Sequence, residues 1–461
     1  MQFNLIEIIN QKQDQPFHIG GDKLISFHDL KNEINQRISQ FSKEGLSTST
    51  ICCAQLTPNI NSIVTLLALI QLGTKTILTN SRWPSLMIDS LIKANGVTHY
   101  LQSDSTVTTI QKMDEPREDL SLSTDPLVFI GTSGSSGLPK LAALTLDNLI
   151  CNALGSNEVI KLQPGDCWSL SLPIFHVGGL GIVFRTLLAG SSLITTDPKD
   201  PLTQYPDKIT HLSLVPTQLL RLLNERKIQE KLPNLKAILL GGAPISNDML
   251  IRARDILGNI IYPTYGLTEM ASQVTTSTPL HFKDTQRHSG GAVVGSALKN
   301  RELKINEKNE ILVRGGCLFK GYLKEGAIQS ALDSDGWFNT KDLGSISSDG
   351  VLEILGRADS QFISGGENIH PESIELALSE FPGVLSAVVV PYKDFEFGFR
   401  PLAFILTESS VLNLKEIQEY LRQRIPSYTI PTKILIAPPE MVTHSGKLSR
   451  ALALQLAKEV V

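Results

Sequence analysis

A loop rich in glycine and hydroxyl side chains follows a short apolar run, and it constrains the fold more than any other stretch of this chain. The loop is Gly131-Thr-Ser-Gly-Ser-Ser-Gly-Leu-Pro-Lys140, and the apolar run at 127–130 predicts a buried strand. Its glycines let backbone N–H groups approach an anion closely, its hydroxyls add donors, and Lys140 adds a charge. The Walker A pattern ends in Gly-Lys-Ser/Thr, which this loop lacks. The loop therefore predicts a phosphate site of another kind at the end of a strand, in preference to a flexible linker.

Predicted strands and helices alternate on both sides of this loop. The strands lie at 52–56, 75–79, 98–101, 127–130, 168–172, 191–195, 211–215 and 237–240. Amphipathic or apolar helices at 26–41, 59–72, 84–94 and 145–154 separate several of them. Such alternation indicates a large α/β domain with mostly parallel sheets. Glycine, His or Glu residues follow several strands, as expected where a ligand lies at the carboxyl edge of a sheet.

The pattern changes beyond residue 290. Alternating runs at 302–313 and 344–354 predict β-hairpins, and hence a smaller antiparallel β region. A compact α+β module is then predicted from a helix at 371–381, strands at 387–390 and 401–406, a helix at 414–425 and a strand at 433–437. A chain of 461 residues is long enough for two or three such domains.

Composition excludes several classes of protein. A net charge of −4 gives no basic excess for a nucleic-acid partner. No apolar stretch reaches the roughly 20 residues of a membrane span, and the first residues lack the features of a signal peptide. The five cysteines show no metal-ligand spacing and are expected to be reduced thiols. We therefore expect a cytoplasmic protein, and a homodimer as its assembly.

Five motifs in order resemble the adenylate-forming acyl-CoA synthetases. They are Thr132-Ser-Gly-Ser-Ser-Gly-Leu-Pro-Lys140, Tyr265-Gly-Leu-Thr-Glu269, Asp335-Gly-Trp-Phe-Asn-Thr-Lys-Asp342, Gly356-Arg-Ala-Asp359 and Ser445-Gly-Lys447. The resemblance implies an enzyme that uses ATP, Mg²⁺ and coenzyme A. It converts a carboxylic acid to an acyl-adenylate, from which the thiol displaces AMP. The resemblance also implies a domain at 1–358 and a small mobile domain at 359–461 that carries the catalytic lysine.

The resemblance assigns the nucleotide site residue by residue. Lys447 is expected to bridge the substrate carboxylate and the α-phosphate, with a solvated surface lysine as the alternative. Glu269 is expected to hold Mg²⁺, and Asp342 the ribose with help from Arg357. The remaining residues expected to bind ATP are Thr132, Ser133, Gly134, Ser135, Ser136, Gly137, Lys140, Gly242, Ala243, Pro244, Tyr265 and Thr268. One residue departs from the family: Lys341 precedes Asp342, where glycine is common, so a positive φ there is disfavoured.

Other residues are assigned to the acyl pocket, the coenzyme A tunnel and the hinge. His176 and Arg185 are expected to contact the acid, Arg185 through a second carboxylate, although an arginine on a helix surface is an equal reading. Gly241, Gly266 and Gln273 are further candidates for this pocket. Gly365 and Gly366 are expected to line the coenzyme A tunnel, and Asp359 to be the hinge, with a surface ion pair to Arg357 as the alternative.

Three features resemble one branch of the family, the o-succinylbenzoate–CoA ligases of menaquinone biosynthesis. They are the short chain, Pro173-Ile-Phe-His176 leading to Arg185, and Phe362-Ile-Ser-Gly-Gly-Glu-Asn368 followed by Pro371. Benzoate-type CoA ligases share part of this pattern. The alternatives are thus another acyl- or aryl-CoA ligase, an enzyme that loads a carrier protein, and a non-catalytic nucleotide-binding regulator.

Overall fold

A computed structural model describes most of the chain. The described residues are 4–20, 23–80, 83–102, 106–109, 127–132, 139–195, 205–225, 228–243, 245, 247–279, 292–364, 367–407, 413–443 and 446–460. Their strands form a 13-stranded sheet, an 8-stranded sheet, a 3-stranded sheet and a 2-stranded hairpin. None of the helices in these ranges combines the length and the apolar character needed to cross a membrane.

The helices are numbered in chain order. They are α1 Leu5–Asn10, α2 Phe27–Lys43, α3 Ile60–Leu72, α4 Ser85–Asn95, α5 Leu146–Ile160, α6 Val177–Ala189, α7 Pro216–Asn224, α8 Ile228–Lys231, α9 Asn247–Leu257, α10 Pro371–Ser379, α11 Leu414–Arg422 and α12 Arg450–Leu456. Local sequence sets their ends. The Asn59 side chain caps the first turn of α3, and Gly73 ends this helix at a φ of 79°.

The strands are numbered in the same way. They are β1 Pro16–Gly20, β2 Lys23–Ser26, β3 Ile51–Gln55, β4 Lys75–Thr79, β5 His99–Leu101, β6 Val107–Thr109, β7 Leu127–Thr132, β8 Lys140–Thr145, β9 Cys167–Leu170, β10 Ser192–Thr195, β11 His211–Leu214, β12 Ala237–Leu240, β13 Ile261–Leu267, β14 Ser272–Thr276, β15 Ala292–Ala297, β16 Arg301–Ile305, β17 Glu310–Gly315, β18 Tyr322–Lys324, β19 Ala327–Gln329, β20 Phe338–Ile346, β21 Val351–Arg357, β22 Phe362–Ser364, β23 Glu367–Ile369, β24 Val384–Asp394, β25 Gly398–Thr407 and β26 Lys433–Ile436.

The two large sheets share one core. In the 8-stranded sheet the order is β19-β18-β8-β7-β4-β3-β5-β6, and β3 is parallel to β4 and β5, as β4 is to β7. The glycine-rich loop joins β7 to its antiparallel partner β8. Buried residues from both sheets and from the helices between them, such as Leu66, Ile130 and Trp168, belong to one apolar cluster.

The 13-stranded sheet has a parallel half and an antiparallel half. Its order is β16-β17-β20-β21-β15-β14-β13-β12-β11-β9-β10-β1-β2. Strands β9 to β13 pair in parallel, and β13 then turns back into the antiparallel β14. The predicted α/β domain with mostly parallel sheets is confirmed. The antiparallel region predicted beyond residue 290 is the continuation of one of those sheets.

The C-terminal residues bury a core of their own. Two apolar clusters, represented by Ile374 and Val390, are composed entirely of residues beyond 360. Strands β24, β25 and β26 form the sheet of this region, and α10, α11 and α12 accompany it. The small α+β module predicted at the end of the chain is thus confirmed as a structural unit.

Candidate active site

Glycines bring backbone segments together at the carboxyl edge of the parallel strands. A methyl group built on Gly241, just after β12, would lie 2.6 Å from the Thr264 side chain of β13. One built on Gly266 would lie 2.1 Å from the carbonyl oxygen of Ser272. Gly242 has a φ of 81°, which favours glycine on conformational grounds as well. The glycines predicted at this edge are therefore required by the close approach of β12, β13 and β14.

Glu269 lies in a strained turn between β13 and β14. A single 3₁₀ turn, Thr268–Met270, is followed by Ala271 at a φ of 55° and Ser272 at a φ of 124°. Two bonds from distant segments fix this backbone: Phe319 N–H donates to the Glu269 carbonyl at 2.8 Å, and the Asn152 amide to the Met270 carbonyl at 2.9 Å. Two consecutive positive φ values at non-glycine residues are costly, and the surrounding contacts hold them in place.

Tyr322 contacts Glu269 directly, and sequence reasoning did not find it. The Tyr322 hydroxyl, at the start of β18, donates to the Glu269 carboxylate at 2.6 Å. Burial and this carboxylate both raise the pKa of Tyr322, so its hydroxyl remains a donor. The Lys140 ammonium lies 5.5 Å from the centre of the Tyr322 ring. Tyr322 therefore links the end of the glycine-rich loop to Glu269.

Asp342 and Arg357 face each other across β20 and β21, where the two residues are paired. Arg357 donates to Asp342 at 2.9 Å and also forms two bonds of 2.8 Å with Asp359. The second oxygen of Asp342 accepts a short hydrogen bond from the Tyr265 hydroxyl. Burial raises the pKa of Asp342, against the opposing effects of Tyr265 and Arg357. Arg357 thus joins two residues for which the sequence predicted different roles, the ribose ligand and the hinge.

Lys341 adopts the conformation that its residue type disfavours, with a φ of 64°. The Asn339 side chain accepts a bond from the Lys341 N–H at 2.9 Å, and the Lys341 ammonium pairs with Glu310 at 3.0 Å. Bonds from Asn306, Asn339 and Lys341 lower the pKa of Glu310 to about 2. The departure from glycine is therefore accommodated, because side-chain bonds compensate for the strain.

Lys447 reaches the large sheet from the C-terminal region. Its loop is a tight turn in which Thr443 N–H donates to the Lys447 carbonyl, and Gly446 has a φ of 75°. A methyl group on Gly446 would lie 2.8 Å from the Thr217 hydroxyl, and one on Gly242 would lie 3.6 Å from the Lys447 ammonium. Desolvation lowers the pKa of Lys447.

His176 is close enough to Lys447 to sense its charge. It occupies the N-cap position of α6 without a side-chain capping bond, and its ring is 4.7 Å from that of Phe175. Desolvation and the Lys447 ammonium both lower the pKa of His176, which disfavours its charged form. A methyl group on Gly179 would lie 2.3 Å from the Pro173 carbonyl, so this glycine lets the first turn of α6 pack on the loop before it.

Arg185 is fully buried near the other end of α6, which contradicts the surface reading of this residue. Its guanidinium lies 5.3 Å from the Trp168 ring, and one of its nitrogens is 3.0 Å from a methyl group built on Gly181. None of the three guanidinium nitrogens bonds to another residue within the described ranges. Burial, followed by the charge of Arg301, lowers the pKa of Arg185 to about 9. Among the described residues, this buried cation therefore has no hydrogen-bonding partner.

Gln273 lies in β14, behind the Glu269 turn. Its side-chain nitrogen donates to Thr276 at 2.8 Å, whereas its side-chain oxygen is buried without a bond to any described residue. Its carbonyl accepts from Asn152 and from Arg301. Gln273 is thus part of the scaffold that connects α5 to the site.

The described ranges contain only part of the predicted phosphate loop and adenine site. Thr132 and Lys140 lie within these ranges and pair at the base of the glycine-rich loop, and Ala243 follows Gly242 after β12. The predicted residues for which the structure gives no position are Ser133, Gly134, Ser135, Ser136, Gly137, Pro244, Gly365 and Gly366.

Residues 6–323 match the AMP-binding enzyme family and residues 373–447 match the AMP-binding enzyme C-terminal domain. A 2-succinylbenzoate–CoA ligase of Escherichia coli K12 is 33% identical, over 93% of this chain and 92% of its own. One of Haemophilus influenzae is 35% identical, over 95% and 94%.

Solved structures agree with these matches. A variant of E. coli MenE with bound OSB-AMS has a TM-score of 0.83 at 29% identity and covers 100% of both chains. The o-succinylbenzoate CoA synthetase (MenE) of Bacillus subtilis, in complex with the acyl-adenylate intermediate OSB-AMP, has a TM-score of 0.82 at 25% identity over 97% of both chains. The fold and site define an adenylate-forming ligase. This chain belongs to the AMP-binding enzyme family and is an AMP-forming acyl-CoA synthetase. The predicted enzyme class is confirmed.

Proposed function

We propose that this enzyme activates o-succinylbenzoate and transfers it to coenzyme A. The carboxylate oxygen of the acid attacks the α-phosphorus of ATP, pyrophosphate leaves, and the thiol sulfur of coenzyme A then attacks the acyl carbon and releases AMP. The relatives named 2-succinylbenzoate–CoA ligase, matched over nearly the whole chain, support this substrate.

The burial of the Arg185 guanidinium without a hydrogen-bonding partner among the described residues is the observation that most supports o-succinylbenzoate as the acid. o-Succinylbenzoate has two carboxylates, one on its succinyl chain and one on its aromatic ring. Arg185 lies nine residues beyond His176 on α6, which is about 13 Å along a helix, and long helical side chains point back toward the N-terminus. A buried charge without a partner is costly unless an anion compensates it. The aromatic carboxylate supplies that anion while the succinyl carboxylate reaches Lys447.

The test compares two acids that differ by one carboxylate. Substitution Arg185→Met is expected to lower kcat/KM for o-succinylbenzoate on the order of 10²–10³-fold, because a charged hydrogen-bonding pair is lost. With 4-oxo-4-phenylbutanoate, which lacks the ring carboxylate, the same variant should equal the native enzyme. Substitution Arg254→Met on α9 is the control and should change neither rate. Equal losses on both acids would refute the role of Arg185, and a plain benzoate as the better native substrate would refute the proposed acid.

We propose the following roles at the nucleotide. Asp342 accepts bonds from the ribose hydroxyls, since carboxylate oxygens have lone pairs left beyond those used by Tyr265 and Arg357. Tyr265 and the residues Gly242, Ala243 and Pro244 border the adenine. Thr268 contacts the α-phosphate, and the loop from Thr132 to Lys140 orients the β- and γ-phosphates, which leave as pyrophosphate. Lys447 offsets the repulsion between the carboxylate and the triphosphate.

Glu269 fits the Mg²⁺ that we propose for this reaction. Magnesium at a nucleotide needs only one or two carboxylates, since phosphates and waters complete its shell. Glu269 offers a nearly buried carboxylate on a turn fixed from two sides, and Tyr322 orients one of its oxygens. Bound there, the ion would neutralise phosphate charge. The described residues contain no group of three metal-ligating side chains, which agrees with a metal held mainly by ATP.

We propose that the two half-reactions use two positions of residues 359–461 relative to 1–358. The contacts of Lys447 with the Gly242 and His176 region support an adenylation position for the arrangement described here. Rotation about Asp359 would break its bonds to Arg357, withdraw Lys447, and bring Gly365 and Gly366 to the coenzyme A thiol. Asp359 is therefore proposed as the hinge.

A cytoplasmic location and a homodimer also stay proposals. All five cysteines are free thiols, which supports a reducing compartment. Fractionation of the native cells tests the first, and light scattering of the purified enzyme tests the second.

A further inference from the structure

Two cysteines lie side by side behind the Glu269 turn: Cys151 on α5 and Cys317 in the segment after β17. The sulfur atoms of Cys151 and Cys317 are 3.2 Å apart, although the residues are 166 positions apart in the chain. We propose that Cys151 and Cys317 form a redox site, which a hydroperoxide converts to a disulfide, and that this disulfide slows adenylation by displacing the Glu269 turn. This inference goes beyond the proposed function and does not depend on which acid the enzyme activates.

The backbone around Cys317 is clamped onto α5. The Asn148 side-chain nitrogen donates to the carbonyls of Gly316 and Leu318, on either side of Cys317, at 2.9 Å each. Asn148 precedes Cys151 by three residues and so lies on the same face of the helix. A methyl group on Gly316 would lie 2.9 Å from the Cys151 sulfur, so the chain approaches this thiol closely. The two sulfurs are thus held within about 1 Å of bonding distance.

The two thiols differ in ways that assign them different roles. Cys151 is 8% exposed, whereas Cys317 is completely buried. The bond from Cys317 and the charge of Arg301 lower the pKa of Cys151 below its usual range, despite its burial. Arg301 itself donates to the carbonyls of Gln273, Lys299 and Asn152. Cys151 is therefore the attacking thiolate, and Cys317 is the resolving thiol.

The chemistry balances with one hydroperoxide. The Cys151 thiolate attacks the peroxide oxygen, the O–O bond breaks, and hydroxide leaves and takes a proton to become water, so that a sulfenic acid forms. The Cys317 sulfur then attacks the Cys151 sulfur, the S–O bond breaks, and a second water leaves with the Cys317 proton. Two thiols lose two electrons in total, and hydrogen peroxide gains them. A dithiol reductant reverses the change by exchange.

Helix α5 connects this pair to the active site. One residue after Cys151, the Asn152 amide donates to the carbonyls of Met270 and Gln273, which flank the end of the Glu269 turn. Two residues after Cys317, the Phe319 N–H donates to the Glu269 carbonyl. Closing the sulfurs shifts α5 against the 316–319 segment, so at least one of these two supports of Glu269 must move.

The first test uses the native full-length enzyme. After treatment with hydrogen peroxide, we expect a cross-linked peptide pair containing Cys151 and Cys317, with the loss of two hydrogen atoms, in a tryptic mass map. ATP–pyrophosphate exchange should fall severalfold and recover with dithiothreitol. A cross-link that leaves the exchange rate unchanged, or an absent cross-link, overturns the proposal.

Variants then separate this pair from other oxidation. Substitutions Cys317→Ser and Cys151→Ala should each abolish the cross-link and keep the exchange rate under peroxide. Substitution Cys167→Ser removes a buried thiol whose pKa burial raises to about 12, and it should leave the response of the native enzyme intact. If peroxide still inactivates Cys317→Ser as fast as the native enzyme, the pair is not the sensitive site. The result on the native protein stands even if one variant does not fold.

Discussion

The two charged groups that we propose to act on the bound ATP, Glu269 and Lys447, are held in very different ways. Glu269 is tied to distant segments by the Tyr322 hydroxyl, the Phe319 N–H and, through Met270, the Asn152 amide. Lys447 is held by bonds within its own turn. This turn approaches the large domain closely, with Gly446 beside Thr217 of α7 and the Lys447 ammonium beside Gly242. A fixed carboxylate and a docked cation suit a reaction in which the metal site stays in place while the lysine is delivered and withdrawn.

Removal of the Lys447 ammonium should lower the rate of acyl-adenylate formation more than any other change considered below. We expect Lys447→Ala to lower acyl-adenylate formation on the order of 10²–10³-fold or more, because in the proposed mechanism it removes a cation that stabilises transition-state charge. Conversion of supplied acyl-adenylate to thioester should stay near the native rate, since we propose that Lys447 is withdrawn in that step. Pyrophosphate release measures the first half-reaction and thioester yield the second.

Lys433 offers a control for this variant, because it lies in the same region on β26. Substitution Lys433→Ala should leave both half-reactions unchanged. If Lys447→Ala lost both half-reactions equally, the contrast between a fixed and a delivered group would be wrong.

Removal of the hydrogen bond that orients the Glu269 carboxylate should have a smaller effect, on the Mg²⁺ dependence of adenylation. Substitution Tyr322→Phe removes the hydroxyl that donates to Glu269 and leaves the ring in place. A lost hydrogen bond to a charged group costs about 1.5–3 kcal/mol, so we expect roughly a tenfold or greater rise in the Mg²⁺ concentration needed for half-maximal pyrophosphate release. Equilibrium binding of Mg²⁺–ATP should weaken in parallel.

The matched control is Tyr100→Phe, which removes a hydroxyl that donates to Gln55 in the 8-stranded sheet. It should leave the Mg²⁺ dependence unchanged. A Tyr322→Phe enzyme with the native Mg²⁺ requirement would mean that the backbone bonds alone fix Glu269.

The bonds around Glu310 should make stability depend on pH. Because the folded pKa of Glu310 is depressed to about 2, its contribution is present above the unfolded pKa and is lost as pH falls toward 2. The free energy of unfolding of the native protein should therefore exceed that of Glu310→Gln near pH 6, and the difference should shrink between about pH 4.5 and 3. Urea unfolding at several pH values measures it, and a difference independent of pH would contradict the assigned bonds.

The smallest expected effect is on stability and arises from the positive φ of Lys341, the residue before Asp342. Lys341→Ala loses the Glu310 pair and keeps the positive φ, whereas Lys341→Gly loses the pair and relieves the strain. We expect Lys341→Gly to be more stable than Lys341→Ala by about 1 kcal/mol in urea unfolding. If Lys341→Ala were the more stable of the two variants, the positive φ at this position would not be a source of strain.

Some partners could not be predicted from the sequence. Glu269, Asp342 and Lys447 were assigned from short motifs through the resemblance to the family, and the structure adds the residues that contact them, such as Tyr322, Tyr265 and Arg357. Tyr322 was missed because it is 53 residues from Glu269 and meets it only through the pairing of β18 with β8. The alternative prediction of a surface position for Arg185 was wrong. Both faces of α6 are covered by other elements, and the sequence of the helix alone does not show this.

By itself, the sequence determined the alternating α/β pattern, the antiparallel strands beyond residue 290 and the small final module, since these follow from local hydrophobic periodicity and turn residues. It also determined which residue types are available for phosphate, metal and carboxylate chemistry. Only the tertiary structure decided which of them meet: the Arg357 bridge between Asp342 and Asp359, the approach of Lys447 to Gly242, and the Cys151–Cys317 pair. These contacts join residues from different strands and helices, and their distances depend on sheet order and packing, which no local pattern encodes.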